Sequence, residues 1–111
     1  MTNWDHVGEA VARRSDRGVI GASIAALDGR EWSHQADRRF VAASTIKVPV
    51  MIDLYRKVDA GDIALDAPIA IGRERVPGSG VLQHLRPELE LTVEELCTLM
   101  ISISDNVATN L

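Results

Sequence analysis

A serine and a lysine that lie three residues apart could together perform nucleophilic chemistry. Apolar residues recur at helical spacing after Ser44 and Lys47, which predicts that both lie on one face at the start of a helix. A serine hydroxyl attacks only after a neighbouring base takes its proton, and a lysine accepts a proton only as the neutral amine. We therefore expect the Lys47 amine to reach the Ser44 hydroxyl, with the Ser44 backbone N–H as one donor of an oxyanion hole. A capping serine followed by a solvated lysine is the alternative meaning of this pair.

A second polar motif lies far downstream, at a predicted break between two helical patterns. It reads Ser104-Asp105-Asn106, and its alternative meaning is a helix-breaking turn that caps a new helix. Together with Ser44-Thr45-Ile46-Lys47, this motif resembles the first two of three active-site motifs of class A serine β-lactamases and the penicillin-recognising enzymes related to them. The flanking segments 40–43, 91–97 and 107–111 resemble that family as well.

The resemblance implies a mixed α/β (α+β) fold of the serine β-lactamase/transpeptidase type. In that fold an antiparallel sheet is flanked by helices and joined to a helical subdomain, and the present chain would hold part of it. Residues 1–111 would form the N-terminal portion of one such domain. Residues 1–40 would supply a helix and a β-hairpin of the sheet subdomain, and residues 41–111 would supply part of the helical subdomain.

The resemblance also implies a role for each motif residue. Ser44 would attack the lactam carbonyl and become acylated, with Lys47 as proton acceptor or proton relay. Ser104 would hand a proton toward the lactam nitrogen, and the Asn106 amide would hydrogen-bond Lys47 and the substrate's side-chain amide. Asp105 is expected to be structural, tying its loop to backbone N–H groups. No cofactor or metal is implied.

The function implied is β-lactam hydrolysis through a serine acyl-enzyme, with a β-lactam antibiotic as small-molecule substrate. Two alternatives remain open: a D-alanyl-D-alanine peptidase or esterase, and a non-hydrolytic penicillin-binding or sensor module. The family's deacylating glutamate and its Lys-Thr-Gly motif would both fall after Leu111. The resemblance therefore implies a truncated piece that is inactive alone. The stripe from Leu96 to Ile103 and both strands would expose apolar surface, which self-association or a missing C-terminal segment could cover.

Composition excludes several other classes of function. The chain has 111 residues, 46% hydrophobic and 25% charged, with a formal net charge of −4 and no clustered basic face, which argues against a nucleic-acid partner. No apolar run approaches a membrane span, and the start lacks the features of a signal peptide, although the family is typically periplasmic or secreted. The three histidines lack the spacing of a zinc site. Cys97, the only cysteine, is expected to be a buried core thiol.

Local patterns predict the elements that must position these residues. We expect a helix over about 3–16, a strand over 19–27, and a two-residue hairpin turn at Asp28-Gly29. The serine-bearing helix should run to about Ala60, with Pro49 kinking it or tightening its first turn. After this helix we expect an extended segment over 62–71, a loop over 76–80 near the lip of the substrate cleft, and one helical turn over 81–85. A capping box from Thr92 to Glu95 should begin a helix that runs to Ile103, and a further helix should start at Val107.

Overall fold

The computed structural model describes residues 4–111. The chain divides into two compact units, the first ending at Val41 and the second running from Ala42 to Leu111. The elements of the first unit are α1 (Asp5–Ala12), β1 (Ala22–Ala25) and β2 (Glu31–His34). Those of the second are a 3₁₀ turn (Ala43–Ile46), α2 (Lys47–Asp59), β3 (Pro68–Ala70), a second 3₁₀ turn (Leu82–His84), β4 (Glu90–Thr92), α3 (Val93–Ser102) and α4 (Asn106–Asn110).

The first unit contains the predicted helix and β-hairpin, both shorter than expected. The predicted helix start at Asn3 lies outside the described residues, and α1 ends at Ala12, where turns begin. Strands β1 and β2 pair antiparallel, with Ile24 opposite Trp32. Alternate residues of both strands are half-buried, as the pleat of a strand with one covered face requires.

The hairpin loop has three residues, so the predicted two-residue turn is wrong. The Ala26 backbone N–H donates to the Arg30 carbonyl at 2.8 Å, which leaves residues 27–29 to make the turn. Gly29 adopts the left-handed conformation, with φ 85°, that commonly closes such loops. Arg30 Nε donates to Asp28 Oδ2 at 2.9 Å and ties the middle of the loop to the residue that follows it.

A 3₁₀ turn precedes helix α2, so Ser44 lies in that turn and not in the α-helix itself. Pro49 has no N–H to donate to the Thr45 carbonyl, and the chain tightens into the turn over 43–46 just ahead of it. The prediction of a tightened first turn is therefore confirmed. Helix α2 ends at Asp59, and Gly61, with φ 82°, follows as the predicted end signal.

A second small sheet, formed by β3 and β4, packs Ile69 and Leu91 against the core of the second unit. The strands pair antiparallel, with Pro68 opposite Thr92 and Ala70 opposite Glu90. Only the last part of the predicted extended segment 62–71 is a strand; turns occupy most of the rest. Strand β4 is absent from the sequence predictions, because its residues lead directly into the capping box of α3 and alternate over only three positions.

The core of the second unit lies between its helices and this sheet. The buried apolar residues form one cluster: Ile71, Leu82, Leu96, Cys97, Met100, Val107 and Ala108. The prediction that Cys97 is a buried thiol is confirmed, and burial raises the pKa of the Cys97 thiol above its ordinary value. The predicted helical turn after the loop is also present. Within residues 4–111 no helix is long and apolar enough to cross a membrane.

Candidate active site

Lys47 is the buried centre of the candidate site. Lys47 is the first residue of α2 and is only 5% exposed. The Lys47 Nζ donates to the Ser104 carbonyl oxygen at 2.6 Å, to Ser104 Oγ at 2.8 Å and to Asn106 Oδ1 at 2.8 Å. An ammonium has three donors and no acceptor, so these three oxygens satisfy it completely. The expected hydrogen bond between Asn106 and Lys47 is therefore present.

Ser104 connects this lysine to the candidate nucleophile. Ser44 is exposed, and Ser104 Oγ donates to Ser44 Oγ at 2.8 Å. Among the described residues, the hydrogen-bonded path from Lys47 to Ser44 therefore passes through the Ser104 hydroxyl. The sequence predicts a direct contact between Lys47 and Ser44; instead the oxygens of the 104–106 corner draw the amine toward themselves.

The corner that carries Ser104 has an unusual backbone. Ser104 adopts φ 59° and Ala43, next to Ser44, adopts φ 46°, a left-handed region that non-glycine residues seldom occupy. The Asp105 backbone N–H donates back to the Leu99 carbonyl at 3.1 Å, which closes the end of α3. The reversal at Ser104 leaves both its carbonyl and its hydroxyl facing Lys47. Backbone conformations of this kind cluster at functional sites.

Asp105 fixes the corner from inside the protein. Its side chain is fully buried, and its carboxylate accepts four backbone N–H bonds, from Val81 at 2.7 Å, Leu82 at 3.0 Å, Val107 at 2.9 Å and Ala108 at 3.1 Å. Burial pushes the pKa of Asp105 up, but the four N–H donors together outweigh it and hold that pKa below its usual value. The predicted structural role of Asp105 is confirmed, since its bonds join the start of α4 to residues 81–82.

The loop 76–80 lies against the Asn106 side of the site. Asn106 Nδ2 donates to the Pro77 carbonyl at 3.0 Å, and the Asn106 backbone N–H donates to the Ser79 carbonyl at 3.0 Å. Gln83 Nε2 donates to the carbonyls of Gly78 at 2.6 Å and Gly80 at 3.1 Å. The sequence pattern indicates this loop but not Gln83, for which it carries no signal.

The four predicted site residues, Ser44, Lys47, Ser104 and Asn106, thus form one hydrogen-bonded group. It contains a hydroxyl open to solvent, a second hydroxyl beside it and a buried amine behind both, which is an arrangement able to move a proton away from Ser44. An apolar cavity of about 410 Å³ elsewhere in the second unit is lined by none of these four residues. Across residues 4–111, no three His, Cys, Asp or Glu side chains lie close enough together to hold a metal ion.

Comparison with protein families gives an extensive match. A model described as the β-lactamase enzyme family matches residues 7–111. A β-lactamase of Rhodobacter capsulatus is 32% identical over 113 aligned positions, which cover 99% of this chain and 39% of that protein.

Solved structures show the same similarity. A β-lactamase from Sphaerobacter thermophilus superposes with a TM-score of 0.90 at 51% identity, covering 97% of this chain and 42% of that one. A PBP-A variant, solved as an acyl-enzyme complex with penicillin G, gives 0.85 at 31% identity over 96% of this chain and 42% of that one. An ancestral class A β-lactamase gives a TM-score of 0.81 at 31% identity, covering 92% of this chain and 40% of that one. The predicted fold class is confirmed, and the chain spans about two fifths of the length of these relatives.

Proposed function

Because the chain belongs to the β-lactamase enzyme family, we propose that Ser44 is the nucleophile that opens a β-lactam ring and carries the acyl group. The observation that carries this proposal is the pair of 2.8 Å contacts that join Lys47 Nζ to Ser104 Oγ and Ser104 Oγ to Ser44 Oγ. Each contact is short enough for proton transfer between the two atoms it joins.

The position of Ser104 between Lys47 and Ser44 supports a proton path through its hydroxyl. With Lys47 as the neutral amine, both hydrogen bonds reverse, so that Ser44 Oγ donates to Ser104 Oγ and Ser104 Oγ donates to Lys47 Nζ, which keeps its bonds to the Ser104 carbonyl and Asn106 Oδ1. The Ser44 proton then passes to Ser104 Oγ while the Ser104 proton passes to Lys47 Nζ. The Ser44 Oγ then bonds to the lactam carbonyl carbon. As the carbon–nitrogen bond of the lactam breaks, Ser104 gives a proton to the departing nitrogen and Lys47 replaces it. The proton taken from Ser44 thus ends on the nitrogen, and the two helper residues return to their starting state.

Asn106 has two roles in this proposal. Its Oδ1 holds Lys47, and one of the two N–H groups of its Nδ2 donates to Pro77. The other N–H is available to the side-chain amide carbonyl of a substrate, the contact that the family resemblance implies. The acyl-enzyme of a PBP-A variant with penicillin G, a protein of 31% identity, supports a β-lactam as ligand.

A second candidate function shares the acylation step and differs in the fate of the acyl group. A PBP-A mutant is a structural neighbour solved as an acyl-enzyme with penicillin G, which supports as the alternative a penicillin-binding protein or peptidase in which the acyl-enzyme persists. The rate of deacylation distinguishes the two candidates. Turnover of a chromogenic cephalosporin supports the hydrolase, and a stable adduct without turnover supports the penicillin-binding alternative.

The test of both is intact-mass measurement after incubation with penicillin G and with a chromogenic cephalosporin. We expect one acyl adduct per chain on the native protein and none on Ser44→Ala, because the nucleophilic oxygen is gone. Ser102→Ala is the matched control, since its hydroxyl is exposed on α3 and donates only to the Thr98 carbonyl; it should acylate normally. An adduct that survives Ser44→Ala contradicts the assignment of the nucleophile. A native chain that is never acylated contradicts acylation by this chain alone, and it is the result that the predicted inactive piece would give.

A further inference from the structure

The Asn106 side-chain amide is held at both ends by the protein. Its Oδ1 accepts from Lys47 Nζ, which donates to oxygens alone in this structure, and its Nδ2 donates to the Pro77 carbonyl, which can only accept. These two partners fix which end of the amide faces the lysine. If the amide turned over, Nδ2 would meet the ammonium and Oδ1 would meet the carbonyl, and both contacts would become repulsive.

Gly78 lies directly over this amide. A Cβ atom built on Gly78 would lie 2.6 Å from Asn106 Nδ2 and 3.8 Å from Asn106 Cγ, and the first distance is far closer than a methyl group can approach a nitrogen. Gly78 also has φ 120°, in the region that glycine tolerates and other residues avoid. Any side chain at this position must therefore displace the Asn106 amide or the loop.

The loop has little freedom to move away from such a side chain. The Ser79 carbonyl accepts from the Asn106 backbone N–H, and Gln83 Nε2 binds the carbonyls of Gly78 and Gly80. On the other side, a Cβ on Gly80 would collide with the Asp105 carboxyl group, so the backbone already lies in contact there. Because the loop is bound on both sides of Gly78, the Asn106 side chain is the part that must shift.

We infer that Gly78 is a positioning residue for the Asn106 amide. Its missing side chain lets the Pro77 carbonyl take one N–H of Nδ2, keeps Oδ1 on Lys47, and leaves the second N–H free for a substrate. The effect of Gly78 on acylation, stated next, rests on the proposed function. Gly78 makes acylation selective for β-lactams that carry a side-chain amide carbonyl over those that lack one.

The experiment compares Gly78→Ala with Gly61→Ala. Gly61 also has a left-handed backbone, with φ 82°, but a Cβ there meets nothing within 4 Å, so this control imposes backbone strain without touching Asn106. For each protein the second-order acylation rate constant is measured by intact mass with penicillin G and with the deacylated penicillin nucleus, which has no side-chain carbonyl. We expect the ratio of the two constants to fall roughly threefold to tenfold in Gly78→Ala, the value of one neutral hydrogen bond, and to stay unchanged in Gly61→Ala. A general loss of stability would lower both constants together and leave their ratio intact.

Nuclear magnetic resonance of the native chain tests the same contact without any variant. The side-chain amide protons of Asn106 should show nuclear Overhauser contacts to the Gly78 α-protons, and the two amide signals should move in Gly78→Ala. A native spectrum that lacks these contacts overturns the inference even if Gly78→Ala fails to fold, and so does an unchanged rate ratio in a folded Gly78→Ala. If the native chain is not acylated at all, the proposed function fails, while the amide contacts still decide the role of Gly78.

Discussion

Asp105 shows how one side chain can hold a catalytic corner without touching a substrate. Its two oxygens accept from four backbone N–H groups, two at the start of α4 and two just after the loop 76–80. Ser104 and Asn106 are its direct neighbours in the chain. Because the carboxylate connects segments that are more than twenty residues apart, it sets where the Ser104 hydroxyl and the Asn106 amide lie relative to Lys47.

Replacing Asp105 by asparagine should therefore destabilise the protein strongly. An amide offers one acceptor oxygen in place of two and turns an NH₂ group toward backbone donors, so buried N–H groups lose their partners. We expect Asp105→Asn to lower the free energy of unfolding by about 3 kcal/mol at neutral pH, measured by urea denaturation. Asp53→Asn is the control. Within residues 4–111 the exposed Asp53 carboxylate pairs only with Lys57 on the same helix, so its replacement should lower the free energy of unfolding little. Equal losses in both variants would contradict the role given to Asp105.

The stability that Asp105 contributes should also depend on pH, with a sign that its pKa determines. The pKa of Asp105 in the folded protein lies below its usual value, so the folded state favours the charged form. Its contribution is therefore complete above the ordinary aspartate pKa of about 4 and is lost as the pH falls below that value toward the folded pKa. We expect the difference in unfolding free energy between the native protein and Asp105→Asn to be the same at pH 6 and pH 5 and to shrink as the pH falls from about 4 to about 3. A difference that stays constant over this range would show that the carboxylate charge is not what these N–H groups bind.

At the scale of elements, the start of α3 depends on a capping box. Thr92 Oγ1 accepts from the Glu95 backbone N–H at 3.2 Å, and Glu95 Oε2 accepts from the Thr92 backbone N–H at 2.8 Å. Helix α3 carries three residues of the buried core, so fraying of its first turn would loosen the packing around Leu96 and Cys97. The box thus stabilises the element that leads to the Ser104 corner.

Thr92→Ala should cost about 1 kcal/mol in the free energy of unfolding, because the orphan N–H of the first turn loses its acceptor. Thr98→Ala is the matched control. Thr98 lies in the middle of the same helix, its side chain is exposed, and its hydroxyl donates to the Glu94 carbonyl. Because alanine is the better helix former, Thr98→Ala should leave the free energy of unfolding unchanged or raise it slightly. Thermal and urea unfolding of both variants measures the two changes in the free energy of unfolding. If Thr98→Ala costs as much as Thr92→Ala, the loss comes from threonine packing and not from capping.

The elements that could be predicted from the sequence are those fixed by nearby residues. The capping box, the β-hairpin, the end of α2 at Gly61 and the helix break at Ser104 each depend on a few consecutive side chains. Strand β4 forms by pairing with β3, and the hydrogen-bond partners of Lys47 lie more than fifty residues away. No local pattern in the sequence predicts contacts between such distant segments. Helical spacing predicts that Ser44 and Lys47 lie together, and only the family resemblance adds Ser104 to them. Neither indicates that the Ser104 hydroxyl lies between the other two side chains.

At the scale of the whole molecule, helix α2 leaves one apolar face uncovered. Met51 and Leu54 pack against the core of the second unit, whereas Val48, Ile52 and Tyr55, on a neighbouring stripe, are 48%, 46% and 39% exposed. Apolar residues repeated at this spacing on a helix normally lie against another element. The chain spans about two fifths of the length of its relatives, and the open face belongs to the helix that carries the site lysine.

This face should bind an apolar dye such as anilinonaphthalene sulfonate, because exposed contiguous apolar surface is the feature such dyes detect. We expect the double variant Val48→Thr and Ile52→Asn to lower the dye fluorescence by roughly half while the far-ultraviolet circular dichroism stays that of a folded chain, since both side chains are on the surface. Lys57→Ala is the control on the same helix: it removes an exposed charged side chain and should leave the fluorescence unchanged. The sequence places the apolar surface open to self-association on the stripe from Leu96 to Ile103, but Leu96 and Met100 of that stripe are buried in the core. The same variants should be followed by sedimentation, because the apolar face of α2 is open to a second copy. If the double variant binds as much dye as the native chain, this face is covered in solution, and the apolar surface of α2 is already buried against another part of the protein or a second copy.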